Sequence, residues 1–172
     1  MEEQSKKKMT QLVRDFRLPR YEELPNVGYF LDQVTQYITE CLKPFSSFTL
    51  TGSMISNYVK MGLIDKPVRK TYGREQMAYL IFIAMAKTVL SLEDIQLFIR
   101  LQKETYDTKT AYNYFCSEFE NILHFVYGLK EKPEKVGKED TDEKHMLQST
   151  IITVAYKVYL DQCFQTVRDE KG

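Results

Sequence analysis

"SNYVKMGLIDKPVRKTYGREQ", residues 56–76, decides how this chain is read. Within it Lys60, Lys66, Arg69, Lys70 and Arg74 face only Asp65 and Glu75. The whole protein is formally neutral, with 24 Lys+Arg against 24 Asp+Glu. Gly62 is a helix stop, because glycine readily takes the left-handed conformation that follows a last helical turn. Upstream, "GSMISNYVKM" (52–61) shows two faces. Ile55 and Val59 stand one turn apart with Met54 and Tyr58 beside them. Ser53, Ser56, Asn57 and Lys60 recur at i, i+3, i+4, i+7 on the other side. Thr51 sits where an N-cap belongs. Downstream, Leu63-Ile64 and Thr71-Tyr72 flank a basic loop containing Pro67. That pattern predicts a small β-hairpin, or wing.

The flanking segments read as helices. "VGYFLDQVTQYITECL" (27–42) places Phe30, Val34, Ile38 and Leu42 at helical spacing, and "SSFTLTG" (46–52) reads as a connector. "GREQMAYLIFIAMAKTVL" (73–90) is apolar on nearly every side and predicts a buried helix. "SLEDIQLFIRLQKE" (91–104) begins with Ser91 as N-cap and Asp94 three residues on. Beyond residue 105, Tyr112, Phe115, Phe119, Ile122 and Val126 form an aromatic-rich seam on a helix over 108–130. The charged stretch 131–144 reads as an exposed loop, and 145–167 as a last helix followed by a solvated tail. Residues 1–20 carry six basic residues against three acidic ones and read as a basic N-terminal arm, solvated or touching a backbone.

Composition excludes several classes. Hydrophobic residues make up 43% of 172, and Pro and Gly number only five and seven, which argues against a turn-rich all-β fold. No apolar run approaches the roughly 18 residues of a membrane span, so a cytoplasmic, membrane-free protein is expected. Cys41, Cys116 and Cys163 are odd in number and far apart, and His124 and His145 lack a partner at ligand spacing. Neither a disulfide framework nor a metal site is expected, nor any cofactor. No Ser/His/Asp set or phosphate-binding Gly-rich loop is present, so the chain does not read as an enzyme.

The order of elements is then helix, helix ending at Gly62, basic hairpin, buried helix, capped helix. "MISNYVKMGLI", "RKTYGREQMAYLIFI" and "VLSLEDIQLFI" resemble the recognition helix, the wing and the following helices of the MerR-like winged helix-turn-helix. "LPRYEELPNVGYFLDQV", "SMISNYVKMGLI" and "KTYGREQMAYLIFI" resemble the bacterial domain of unknown function 1836. The resemblance implies a mainly all-α winged helix-turn-helix of MerR type, with a small β-hairpin wing and C-terminal helices. The expected division is a basic arm (1–20), a DNA-binding domain (21–104) and a C-terminal dimerisation or effector region (105–172). The long first helix and the Pro44-containing connector depart from ordinary MerR regulators, and the cysteines of metal-sensing members are missing.

A transcriptional regulator that binds double-stranded DNA follows as the expectation. Short polar side chains near the start of a recognition helix reach base edges in the major groove. Ser53, Ser56 and Asn57 suit that role, Tyr58 could donate to a phosphate, and Lys60 would meet the backbone. On the wing, over 65–72, Arg69 and Lys70 suit phosphate contacts, supported by Lys66, Tyr72 and Arg74. The resemblance also implies a homodimer, which doubles the phosphate contacts. The seam Tyr112, Phe115, Phe119, Ile122 and Val126 is then a dimer interface or core. Two alternatives stand beside this one: a protein–protein interaction module, and a sensor whose aromatic C-terminal helices hold an unidentified small-molecule effector.

Overall fold

Helix α4, Arg74–Ala86, is apolar on every side, and the chain is built round it. In the computed structural model, which describes all residues 1–172, every side chain from Met77 to Ala86 is buried. The other helices are α1 (Glu3–Asp15), α2 (Leu31–Leu42), α3 (Gly52–Lys60), α5 (Leu92–Thr105), α6 (Thr108–Val126) and α7 (Asp142–Lys171). Strands β1 (Tyr29–Phe30) and β2 (Thr71–Tyr72) form a two-stranded antiparallel sheet, so the fold is mainly helical.

The caps explain most helix starts. Thr51, Ser91, Asp107 and Thr141 each accept a hydrogen bond from the backbone N–H three residues on. At α2 and α4 the reciprocal half of a capping box does the work: Gln33 accepts from Phe30 N–H and Gln76 from Gly73 N–H. Gly62, with φ 75°, ends α3 and lets Leu63 N–H bond back to Tyr58 C=O at 2.9 Å.

One hydrophobic cluster runs from Val13 to Val158, so neither residue 20 nor residue 104 marks a break in packing. Edge-on and tilted rings from Phe16, Phe45, Phe48, Phe82, Phe115 and Phe119 knit it together, with centroids 4.9 to 6.5 Å apart. Phe45 and Phe48 come from the segment between α2 and α3, which is therefore core as well as connector.

Several expectations change. The N-terminal arm is a helix followed by a strap, and Val13, Phe16 and Leu18 anchor both in the core. The strap lies across α6: Tyr112 Oη donates to Pro19 C=O, and Tyr21 N–H donates to Asn113. Residues 29–30 are strand, and the first helix starts at Leu31. The hairpin does not use Leu63-Ile64 as a strand; both side chains are buried where the chain turns out of α3, and β2 pairs with β1, Tyr29 opposite Tyr72 and Phe30 opposite Thr71. Of the α6 seam, Tyr112, Phe115, Phe119 and Ile122 are buried within a single chain, and Val126 is half-buried and packs against the same core.

Helices α6 and α7 run parallel. Tyr106, just before α6, hydrogen-bonds Thr141, just before α7; Lys144 lies over the Tyr114 ring; Tyr127 donates to Gln162. A parallel pair needs a connection as long as the helix, and residues 128–141 provide it by returning along α6. Buried Asn121 holds this return, donating to Glu134 C=O and accepting Glu134 N–H at 2.8 and 3.0 Å.

Candidate nucleic-acid interface

The residues singled out in the sequence fall into two groups. Ser53, Asn57 and Lys60 are exposed on α3 and Ser56 is half-buried; with Leu31 and Thr51 they line one shallow polar depression. Lys66, Arg69 and Lys70 are exposed on the loop before β2. None of Lys60, Lys66, Arg69 and Lys70 enters an ion pair.

The other three belong to the scaffold. Tyr58 and Tyr72 are buried, at 3% and 5% exposure, and burial pushes both phenols above their ordinary pKa. Their rings are part of the core. Arg74 is committed: Nε donates to Leu24 C=O, Nη2 to Glu22 C=O, and the guanidinium lies 5.7 Å from the Tyr21 ring centroid. It ties α4 to the strap. The charge at Arg74 that made the opening stretch look so basic is thus spent on the fold.

The wing tip has a distinctive backbone. Val68 and Thr71 exchange both N–H···O=C bonds, at 3.0 and 2.9 Å, so Arg69 and Lys70 form a two-residue turn. Both have positive φ, 50° and 63°. That pattern belongs to a type I′ turn, whose central positions favour Asn and Gly. An L-residue with a long side chain gives up about 1 kcal/mol or more at each. Two cations therefore occupy the two positions where local stability would select other residues. The root of the turn is firm: Gln76 Nε2 donates to Asp65 C=O and Lys66 C=O. Gly28 lets the two strands meet, since a Cβ there would lie 2.4 Å from Thr71 Oγ1.

The two groups adjoin through β1. Leu31, which lines the polar depression of α3, directly follows Phe30, and Phe30 pairs with Thr71 beside the Arg69-Lys70 turn. Phe30 and Val68 flank Thr71 on opposite sides and are 56% and 72% exposed, so the small sheet carries an apolar patch beside its cations.

Lys87 was not anticipated. It lines a second depression along α3 with Ser53, Asn57 and Tyr58, donates to Thr49 C=O, and its pKa is lowered by burial. Its only sequence signal is a lone lysine after the apolar run of α4. Gln96, which donates to Met61 C=O at 2.8 Å and completes the end of α3, gave no signal at all.

No group of three or more His, Cys, Asp or Glu side chains is placed to hold a metal ion. All three cysteines are free; Cys116 is buried and its thiol is pushed up to about 12. No helix is long and apolar enough to cross a membrane.

The family model described as Domain of unknown function (DUF1836) matches residues 19–115, more than half of the chain. The chain belongs to this family. The DUF1836 region begins in the strap at Pro19, takes in β1 to α5, and ends at Phe115 within α6, so the polar face of α3 and the cationic turn both lie inside it. No curated protein and no solved structure matches the chain.

Proposed function

We propose that this protein is a sequence-specific regulator that binds double-stranded DNA through a MerR-like winged helix-turn-helix. The reading has α3 in the major groove, Ser53 and Asn57 toward base edges, and Lys60 toward the backbone. Arg69 and Lys70 meet phosphates in a flanking groove, with Lys66 behind them. The observation that carries it is the Arg69-Lys70 turn: two unpaired cations held in left-handed conformations beside an exposed polar helix face. Strain kept at a surface turn points to a role for the side chains it displays.

The reading includes a homodimer, because one module of this size makes few phosphate contacts. With the α6 seam occupied by the core, α7 offers the free surface. Tyr156, Leu160 and Phe164 are 46%, 48% and 58% exposed, and Tyr156, Leu160, Cys163 and Val167 follow the 4-3-4 spacing of a two-helix seam.

Selection from random duplexes tests the reading. An enriched, two-fold symmetric site supports it; failure to enrich any sequence, with binding insensitive to salt, overturns it. A second reading, a protein-interaction module, is favoured by the exposed Phe30 and Val68. It expects a complex that survives nuclease and high salt and is lost in Phe30→Ser.

A further inference from the structure

We infer that the cleft beneath the α6–α7 return binds a small organic amine with a compact apolar body. Nothing in this proposal depends on DNA binding; it concerns the far end of α5 and the first turns of α6 and α7. The cleft has a volume of about 320 Å³, at the lower end of the range of small-ligand sites. Its apolar wall is Phe98, Ala111, Val136 and Leu147. Its roof is prearranged. Asn121 fastens Glu134 at one end, and Lys144 Nζ fastens Glu139 C=O at 2.7 Å at the other. Residues 135–138 arch between these two pins, with Gly137 at φ 73°.

The polar groups point to the ligand's charge. Tyr114, Ser117 and Glu143 line the cleft, and none has a side-chain hydrogen-bond partner in the protein; the Tyr114 hydroxyl is buried nonetheless. One turn along α6, Glu118 is 1% exposed and its Oε2 is also unpartnered. Unmet buried polar groups are rare in native proteins, and each costs about 1–3 kcal/mol. Within the cleft itself, the Tyr114 phenol, the Ser117 hydroxyl and the Glu143 carboxylate share one capacity: all accept hydrogen bonds. An ammonium group supplies only donors. The charge balance agrees. Glu139 and Glu143 border the cleft against Lys144 alone, and the Lys144 ammonium is already engaged with Glu139 C=O and the Tyr114 ring, 5.4 Å from its centroid. A carboxylate ligand would meet two acids and one committed lysine. An amine whose apolar part lies against Phe98 and Leu147 meets free acceptors and an aromatic face.

Calorimetric titration of the full chain tests this with three probes of one shape: 2-phenylethylamine, 2-phenylethanol and 3-phenylpropionate. The amine is expected to bind saturably and to raise the melting temperature, with the alcohol weaker and the acid silent. Glu143→Gln, on the cleft rim, should weaken the amine by about tenfold or more. Ala111→Leu, which fills the apolar wall, should abolish binding while the far-ultraviolet spectrum stays native. The proposal is overturned if no probe binds, if the acid binds as well as the amine, or if both variants keep wild-type affinity. Water alone satisfying Tyr114 and Glu118 corresponds to the first of these results. Duplex selection succeeds or fails independently of all three.

Discussion

Arg20 and Glu120, a hundred residues apart in sequence, form a two-pronged ion pair with contacts of 2.6 and 3.1 Å. Both side chains are largely shielded, at 23% and 16% exposure, so the pair sits between a surface bridge and a buried one. It locks the strap, which lies inside the family-matched region, onto a part of α6 just beyond that region. Glu120→Gln should cost about 2 kcal/mol, since it leaves the guanidinium half-buried with a weaker partner. Urea denaturation read by circular dichroism measures this; a change under about 0.5 kcal/mol would make the pair an ordinary surface contact.

Stability and binding should move in opposite directions at the wing. Replacing Arg69 and Lys70 by Asn and Gly gives the turn the residues its backbone favours, and should stabilise the protein by about 1–2 kcal/mol. The same change removes two phosphate contacts. The slope of log affinity against log salt should flatten by about two units. A variant that gains stability and keeps its full salt slope would remove the wing from the interface.

Asn57 and Tyr58 are neighbours with separate roles. Asn57→Ala should leave the melting temperature unchanged and alter the preferred base at one position, worth about 1–3 kcal/mol of discrimination. Tyr58→Ala should lose about 3–5 kcal/mol of stability, as large core aromatics do. Tyr58→Phe, which keeps the ring, should fold and bind duplex like the wild type. Weakened binding by a well-folded Tyr58→Phe would return the hydroxyl to the interface.

Glu118 predicts a pH dependence. Burial raises its pKa above the ordinary carboxylate value, with Gln148, Lys144 and Asn121 pulling part of the way back. The folded form therefore keeps a proton that the unfolded chain has released. Its stabilising share is complete below the ordinary carboxylate range and is lost as pH rises through the raised value. Glu118→Gln should be more stable than the wild type at pH 8, and the difference should close toward pH 4. Parallel curves for the two proteins would mean that Glu118 titrates as if exposed.

The parts of the fold that sequence made legible are those with local physical signatures. Thr51 and Ser91 cap helices because a side-chain oxygen three residues before a free N–H needs nothing distant. Gly62 ends α3 for an equally local reason, and the unbroken apolar run of α4 announces its burial. The misread parts depend on distant partners. A two-residue strand such as β1 has no periodicity, so its pairing with Thr71 and Tyr72 was invisible. Val13, Phe16 and Leu18 are few among charges, and only their contacts with α6 and its neighbours reveal a docked segment. On α3, Tyr58 could have faced either way until the core claimed it. Arg74 resembled the other cations of the loop, yet its partners are backbone carbonyls some fifty residues earlier. At the return between α6 and α7, one amide, Asn121, turns a charged stretch into a roof.

The strap and the parallel helix pair also set an order of events in time. Arg20 waits for Glu120, Tyr21 for Asn113 and Met9 for Thr166, so the first segments made have their partners among the last. Loops of that length close slowly, and a chain rich in such distant pairings folds more slowly than a bundle of neighbouring helices. During synthesis the phenylalanines near residues 45 and 82 emerge before Phe115 and Phe119 exist to cover them. Until α6 and α7 leave the ribosome, the nascent protein exposes aromatic surface that those two helices later cover.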